Sequence, residues 1–336
     1  FIYLSNVFLL LDIFTEHKGG RHLSKKDTIS KIYMSKNEIF ADAVNFYFFD
    51  GKQTVRPEHL RELSSEELAL PYGKEGQSGQ PATFPVQKYR DILKECAIKE
   101  NNGTIYVIYG IEVQSSVHYA MPVRNMLYDA LHYAAQVSEI VSEHRKNRDY
   151  GMDTGEFLSG FYRSDRLYPV HTMVIYFGAR TWDGPRSLKE MLRLPEKNVF
   201  FNDYRLNLLV PAEVEDFGKF HTQLGGVLEF LKVMEDKEEL ADLIRRKKDL
   251  FQELSREAVE VLRAFAKVDI KISGSEEEVD MCRGIDEMME DVREELIRNF
   301  IREGTPYDIT RRCVLREGMS EEQFQKIWAS ERKIAN

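Results

Sequence analysis

The sequence predicts an α/β chain in two parts, a core of strands and helices followed by a helical C-terminal region. Three observations predict it. Thr104–Gln114 alternates along its length, with Ile105, Val107, Tyr109, Ile111 and Val113 on one face and Tyr106, Ile108, Gly110, Glu112 and Gln114 on the other. Two further runs, Pro169–Phe177 and Leu206–Val210, read as buried strands. From Glu213 onward strand signals give way to charged amphipathic helices.

In chain order, Phe1–Phe14 is apolar but interrupted by Asn6 and Asp12, too short to span a bilayer, and lacks the basic start and small-residue cleavage site of a signal peptide. Glu16–Lys31 is polar and unpatterned, so residues 1–33 are expected to be an extension without native structure. Asn37–Phe49 follows as an amphipathic helix with Phe40, Val44 and Phe48 on one stripe, and Asp42 and Asn45 together on another face. Asp50-Gly51 ends it, and Pro71–Pro85, rich in Gly and Pro, reads as a loop. Its Gly73-Lys74-Glu75-Gly76 lacks the G-K-[ST] of a P-loop.

A β-hairpin comes next. Tyr89, Ile92, Leu93 and Cys96 also fit helical spacing, but the Asn102-Gly103 step is a type I′ turn signal and favours a strand. With Asn102 and Gly103 as the loop, Asn101 pairs with Thr104, Asp91 lies opposite Gln114 and Leu93 opposite Glu112. Asp91, Glu112 and Gln114 then converge on one face. Carboxylates at close range are costly unless a cation or proton compensates them, and hard oxygen donors suit Mg²⁺ or Mn²⁺. The alternative is that the two acids are solvated strand ends.

Pro122 opens a long helix over Val123–Lys146, with Arg124 and Tyr128 as i, i+4 neighbours near its start. These two side chains are candidates for holding a phosphate. A salt bridge from Arg124 to Asp129 or Glu112 is the alternative. Arg145–Asp165 reads as a loop, His171 as a core or strand-end residue, and Trp182-Asp183-Gly184-Pro185 as a turn. Arg180, Arg186, Lys189 and Arg193 gather near that turn, as a local basic patch or a solvated face. In the tail, Phe217–Glu235, Glu238–Val268 and Glu276–Arg302 are expected helices. Thr305-Pro306 starts another, and Ser320-Glu321-Glu322-Gln323 is a capping box opening the last, a helix-turn-helix in outline.

Composition bounds the function. The 336 residues, 43% of them hydrophobic, can bury one large or two modest cores. Cys96, Cys282 and Cys313 are widely spaced, which argues against a disulfide framework or a zinc site and suits a reducing cytoplasm. The formal charge of -9 means that any nucleic-acid surface must be a local patch.

Arg90-Asp91, then Gly110-Ile111-Glu112-Val113-Gln114, His118-Tyr119-Ala120-Met121-Pro122-Val123-Arg124 and Tyr128-Asp129, together resemble the bacterial PD-(D/E)XK nuclease family transposases, the recombination-promoting nuclease group. The resemblance runs from about Met34 through Asn202-Asp203-Tyr204-Arg205 and is looser in the tail. It implies a restriction-endonuclease-like core over 34–211, a mixed sheet flanked by helices, and a helical region over 212–336. It also implies a metal-dependent DNA endonuclease with a role in mobile-element recombination or genome defence. Asp91, Glu112 and the Val113 carbonyl would bind Mg²⁺ or Mn²⁺, and Gln114, where the family motif has Lys, would orient the attacking water. Asp42 is the candidate accessory acid, with Glu38 behind it. DNA is the expected partner, membrane is not, and oligomerisation is open. A catalytically weak DNA-binding protein on the same scaffold, or an interaction module using the acidic helical tail, are the alternatives.

Overall fold

The computed structural model describes residues 25–63, 66–69, 86–89, 92–100, 103–148, 153–195, 200–266, 278–316 and 320–334. The chain divides into two compact units, Phe1–Asp236 and Lys237–Asn336.

In the first unit, helices α1 (Lys25–Ser35) and α2 (Asn37–Phe49) precede strand β1 (Leu60–Glu62). A small pair, β2 (Glu66–Ala69) and β3 (Val86–Tyr89), stands as its own two-stranded sheet. The hairpin strands β4 (Ile92–Glu100) and β5 (Gly103–Gln114) lead to the long helix α3 (Met121–Lys146) and the short α4 (Thr154–Ser159). Strands β6 (Val170–Tyr176) and β7 (Asn207–Leu209) and helix α5 (Leu224–Val233) complete the unit. The main sheet runs β1-β4-β5-β6-β7, antiparallel from β1 to β5 and parallel from β5 to β7. α3 is the crossover that a parallel β5–β6 pair requires.

Alternation along β5 sends side chains to two helical layers. On one face Tyr109 and His171 meet Phe48 of α2, with ring centroids 5.4–5.8 Å apart. On the other, Leu93, Ile108 and Val170 pack with Tyr133 of α3. Further along that second face Met121 joins Val174, Tyr176 and Trp182.

The hairpin is a strand pair, as expected, but its register is not the expected one. Glu100 pairs with Gly103, and Leu93 faces Gly110 instead of Glu112. Gly103 is the first residue of β5, and positions 101 and 102 lie outside the described residues. The offset is two residues, so every side chain keeps its face. This register sets the bulky Leu93 against a glycine and relieves Glu112 of an apolar partner.

Two expected boundaries move. Within the segment expected to be unstructured, residues 25–33 form most of α1, with Ser30 and Tyr33 buried. Buried Lys94 donates from Nζ to the Ser35 carbonyl at 2.5 Å and to Asn37 Oδ1, bonding the α1–α2 junction to β4. Desolvation lowers the Lys94 pKa, against the pull of Glu62 and Glu38. At the other end the unit runs past Pro211 to Asp236. Phe46 stacks on Phe220 at 4.0 Å, and Leu224, Val227, Leu228, Phe230 and Leu231 are buried. Gly51, at φ 81, leaves only 2.8 Å between an added Cβ and the Lys219 carbonyl, so glycine is required where α2 turns against this segment.

The second unit holds α6 (Lys237–Arg246), α7 (Lys248–Gln252), β8 (Leu254–Ser255), α8 (Arg256–Ala266), β9 (Glu278–Val279), α9 (Met281–Arg302), α10 (Tyr307–Arg316) and α11 (Glu321–Ile334). The single helix expected over 238–268 is broken at Lys247 and Glu253, and β8 pairs with β9 where no strand was expected. Ile297, Val314, Phe324 and Ile327 form the core of α9–α11. The capping box forms as read: Gln323 N donates to Ser320 Oγ, and Ser320 N to Gln323 Oε1.

Two outcomes test this packing. Tyr33→Ala should cost about 3 kcal/mol in denaturant unfolding, the price of emptying a fully buried aromatic site; a change within about 0.5 kcal/mol would place α1 outside the core. Burial holds the His171 imidazole below its ordinary 6.5, the Asp129 charge opposing it. The unfolded chain then takes up this proton first as pH falls, so its contribution is intact above pH 6.5 and lost below it. The stability of wild type relative to His171→Phe should fall as pH is lowered through that range; a difference independent of pH would contradict this.

Candidate functional site

Glu112 lies near the end of β5, opposite Val174 of β6, and is fully buried. A carboxylate so far from water needs a compensating charge. Arg124, one turn into α3, provides one: its Nη2 donates to Glu112 Oε2 at 3.2 Å. The guanidinium is braced from behind, Nε donating to Tyr128 Oη at 3.0 Å. Tyr128 is buried, whereas the Arg124 side chain retains 23% exposure. The arrangement follows from local sequence. Pro122 starts the helix, and i, i+4 spacing stacks Arg124 and Tyr128 on one flank.

The sheet-facing stripe of α3 is Met121, Asn125 and Asp129. Asp129 accepts from Thr172 Oγ1 and Tyr204 Oη, both at 2.5 Å, which ties α3 to β6 and to the approach to β7. Asn125 is fully buried, and neither Nδ2 nor Oδ1 has a hydrogen-bond partner among the described residues. A polar residue on an otherwise buried helix stripe is a legible signal, and the sequence reading passed over it.

The expected site residues separate as follows. Glu112, Arg124 and Tyr128 come together, with Arg124 ion-paired to Glu112, while Asp129 bonds Thr172. Gln114, half-buried, shares the Glu112 face, and its backbone carbonyl accepts from Phe177 N at 2.9 Å. Val113 is buried on β5 with Ile175 as its β6 partner. Asp91 lies outside the described residues, as does the loop expected over 71–85. The pairing of Leu93 with Glu112, on which its convergence with Gln114 was argued, does not form.

Asp42 is committed to a different task. Buried on α2, its carboxylate accepts from His221 N and Thr222 N, each at 2.9 Å, and from Thr222 Oγ1 at 2.6 Å. These bonds hold the turn before α5. Its neighbour Asn45 bonds both ways to the Val55 backbone at 2.8 Å. The expected basic patch is neutralised in part: Arg186 forms a two-pronged pair with Glu213, and Arg180 lies 3.7 Å from Glu235.

No group of three or more His, Cys, Asp or Glu side chains able to hold a metal occurs among the described residues. The donors present nonetheless fit a hard cation. Glu112 supplies a buried carboxylate oxygen, and the buried Asn125 carboxamide, without a hydrogen-bond partner among the described residues, can hold one of the waters such an ion keeps. A cavity of about 320 Å³ lies elsewhere, between the end of α2 and residues 208–219, with the ion-paired Asp50 and Lys219 in its lining. No helix among the described residues is long and apolar enough to cross a membrane.

No family model, curated protein or solved structure matches the chain.

Breaking the Glu112–Arg124 pair from one side should be costly. Arg124→Met should lose about 3 kcal/mol, the low end for a buried pair because the guanidinium is partly exposed. Adding Glu112→Gln to that chain should recover most of the loss. The double-mutant cycle in denaturant reads the coupling directly; an Arg124→Met protein as stable as wild type would show that Glu112 does not depend on this charge.

Proposed function

We propose that the chain is a metal-dependent DNA endonuclease of the recombination-promoting nuclease type, hydrolysing phosphodiester bonds on a PD-(D/E)XK-like core. One observation carries the reading. A fully buried glutamate on the central strand of a mixed sheet lies under the first turns of the helix bearing M-P-x-R-x-x-x-Y-D, paired with the Arg of that motif. Such a carboxylate is poor value for stability, because an apolar residue of similar volume generally serves a core as well or better. Function is the better account of its presence.

In this reading Glu112 and the Val113 carbonyl would hold Mg²⁺ or Mn²⁺ together with Asp91. A divalent cation held there would supply Lewis acidity toward a phosphoryl oxygen and toward the attacking water. Arg124 then has a second task. With a cation on Glu112, the guanidinium would be free to pair with a phosphate oxygen while keeping its bond to Tyr128. Gln114 orients the water by hydrogen bonding and, being an amide, adds no positive charge. The Gln in place of Lys, with the -9 charge of the chain, favours a second reading, a DNA-binding protein with little cleavage.

Supercoiled DNA incubated with the protein and Mg²⁺, Mn²⁺, Ca²⁺ or chelator separates the two. Nicked or linear product is expected with Mg²⁺ or Mn²⁺ alone. It should be lost in Glu112→Gln and reduced by about one to two orders of magnitude in Gln114→Ala, the loss of one oriented hydrogen bond. Salt-dependent DNA binding without cleavage would select the second reading. No DNA binding at all would overturn both.

A further inference from the structure

On the sheet-facing stripe of α3, Asn125 has no hydrogen-bond partner among the described residues. Its neighbours one turn away define its position. Met121 packs in the cluster that contains Val174, and Asp129 accepts from Thr172 Oγ1. Thr172 and Val174 are two residues apart on β6 and share a face, and their β5 partners are Gly110 and Glu112. Asn125, midway between Met121 and Asp129 on the i, i+4 row, therefore lies over the step from Gly110 to Glu112. Gly110 contributes no side chain there, which leaves room beneath the helix.

The polar groups around it are satisfied. Glu112 has Arg124, and Asp129 has Thr172 and Tyr204. Asn125 is equally buried, yet both ends of its carboxamide are without a hydrogen-bond partner among the described residues. Buried side-chain amides are nearly always bonded, to protein or to ordered water. The chemistry of the group narrows what it holds. A carboxamide presents two donors on Nδ2 and two acceptor positions on Oδ1. A bare cation would use the oxygen and strand the nitrogen, and a phosphate oxygen would do the reverse. Water, which both donates and accepts, satisfies both ends.

Resting on the cation site proposed above, we infer that Asn125 is a positioning residue of that site, its carboxamide binding the water that completes the shell of a divalent cation held by Glu112. It acts through that water and belongs with the outer partners that orient a metal's ligands, whose loss typically costs 10–100-fold in metal affinity.

The test is Mn²⁺ binding by the full chain, followed by electron paramagnetic resonance, with thermal melting and near-ultraviolet circular dichroism as checks on the fold. Wild type should bind Mn²⁺, and Glu112→Gln should abolish it. Asn125→Leu, close in shape and free of polar atoms, should melt at or above the wild-type temperature and bind Mn²⁺ about 10–100-fold more weakly. Where Asn125→Leu does not fold, Asn125→Asp carries the test. It keeps the shape and adds a charge, and should tighten Mn²⁺ binding by about tenfold, since affinity rises with ligand charge. Wild-type affinity in a folded Asn125→Leu, or an unchanged affinity in Asn125→Asp, overturns the role of Asn125 and leaves the cation site standing. Absence of Mn²⁺ binding in wild type, or binding that survives Glu112→Gln, overturns the cation site and this inference together.

Discussion

A carboxylate removed from water in the middle of a protein has to be neutralised, and the first unit is arranged around that requirement at Glu112. The charge sits on β5, the strand where antiparallel pairing changes to parallel, so α3 must cross over the face on which Glu112 points. The first turns of that crossover bring Arg124 within 3.2 Å, and Tyr128 accepts a second hydrogen bond from the guanidinium. The ion pair is local in sequence, twelve residues apart, yet it joins a strand to a helix that also touches β6 and the approach to β7 through Asp129. Moving α3 along its axis by one turn would break the ion pair and both Asp129 bonds together.

The opposite face of the sheet solves a related problem by a different route. Lys94 is buried as deeply as its acidic counterpart, and its ammonium is satisfied by the end of α1 and the side chain of Asn37. Asp42 and Asn45 on α2 are likewise spent on backbone groups of loops that would otherwise have unpaired N–H and C=O groups. These polar residues bond backbone groups and neighbouring side chains. Asn125 on the Glu112 face differs, with neither end of its carboxamide bonded among the described residues.

Much of this was legible in the residues. The strict alternation of 104–114 places Glu112 and Gln114 on one face whichever of the two even registers forms, so the site face survives the register shift. The stripe of Phe40, Val44 and Phe48 marks α2 to its observed ends, and Ser320 with Gln323 marks the start of α11. What failed to read were long-range partners. Asp42 looks like an exposed acid until Thr222, distant in sequence, is seen to donate to it. Residues 25–33 lack apolar periodicity, but a few deeply buried positions such as Tyr33 are enough to dock a helix. The tail helices broke at Lys247 and Glu253 without a Gly or Pro to announce it.

In the proposed function Glu112 holds a cation, and the Arg124 guanidinium takes that cation's place when none is bound. Crystals of the full chain soaked in Mn²⁺, measured at a wavelength where manganese scatters anomalously, test it most directly. The account predicts an anomalous peak within coordination distance of a Glu112 carboxylate oxygen, with the Arg124 guanidinium turned away from Glu112 and still bonded to Tyr128. An intact Glu112–Arg124 pair at saturating Mn²⁺, with no peak beside it, would make the pair a structural element and contradict the account.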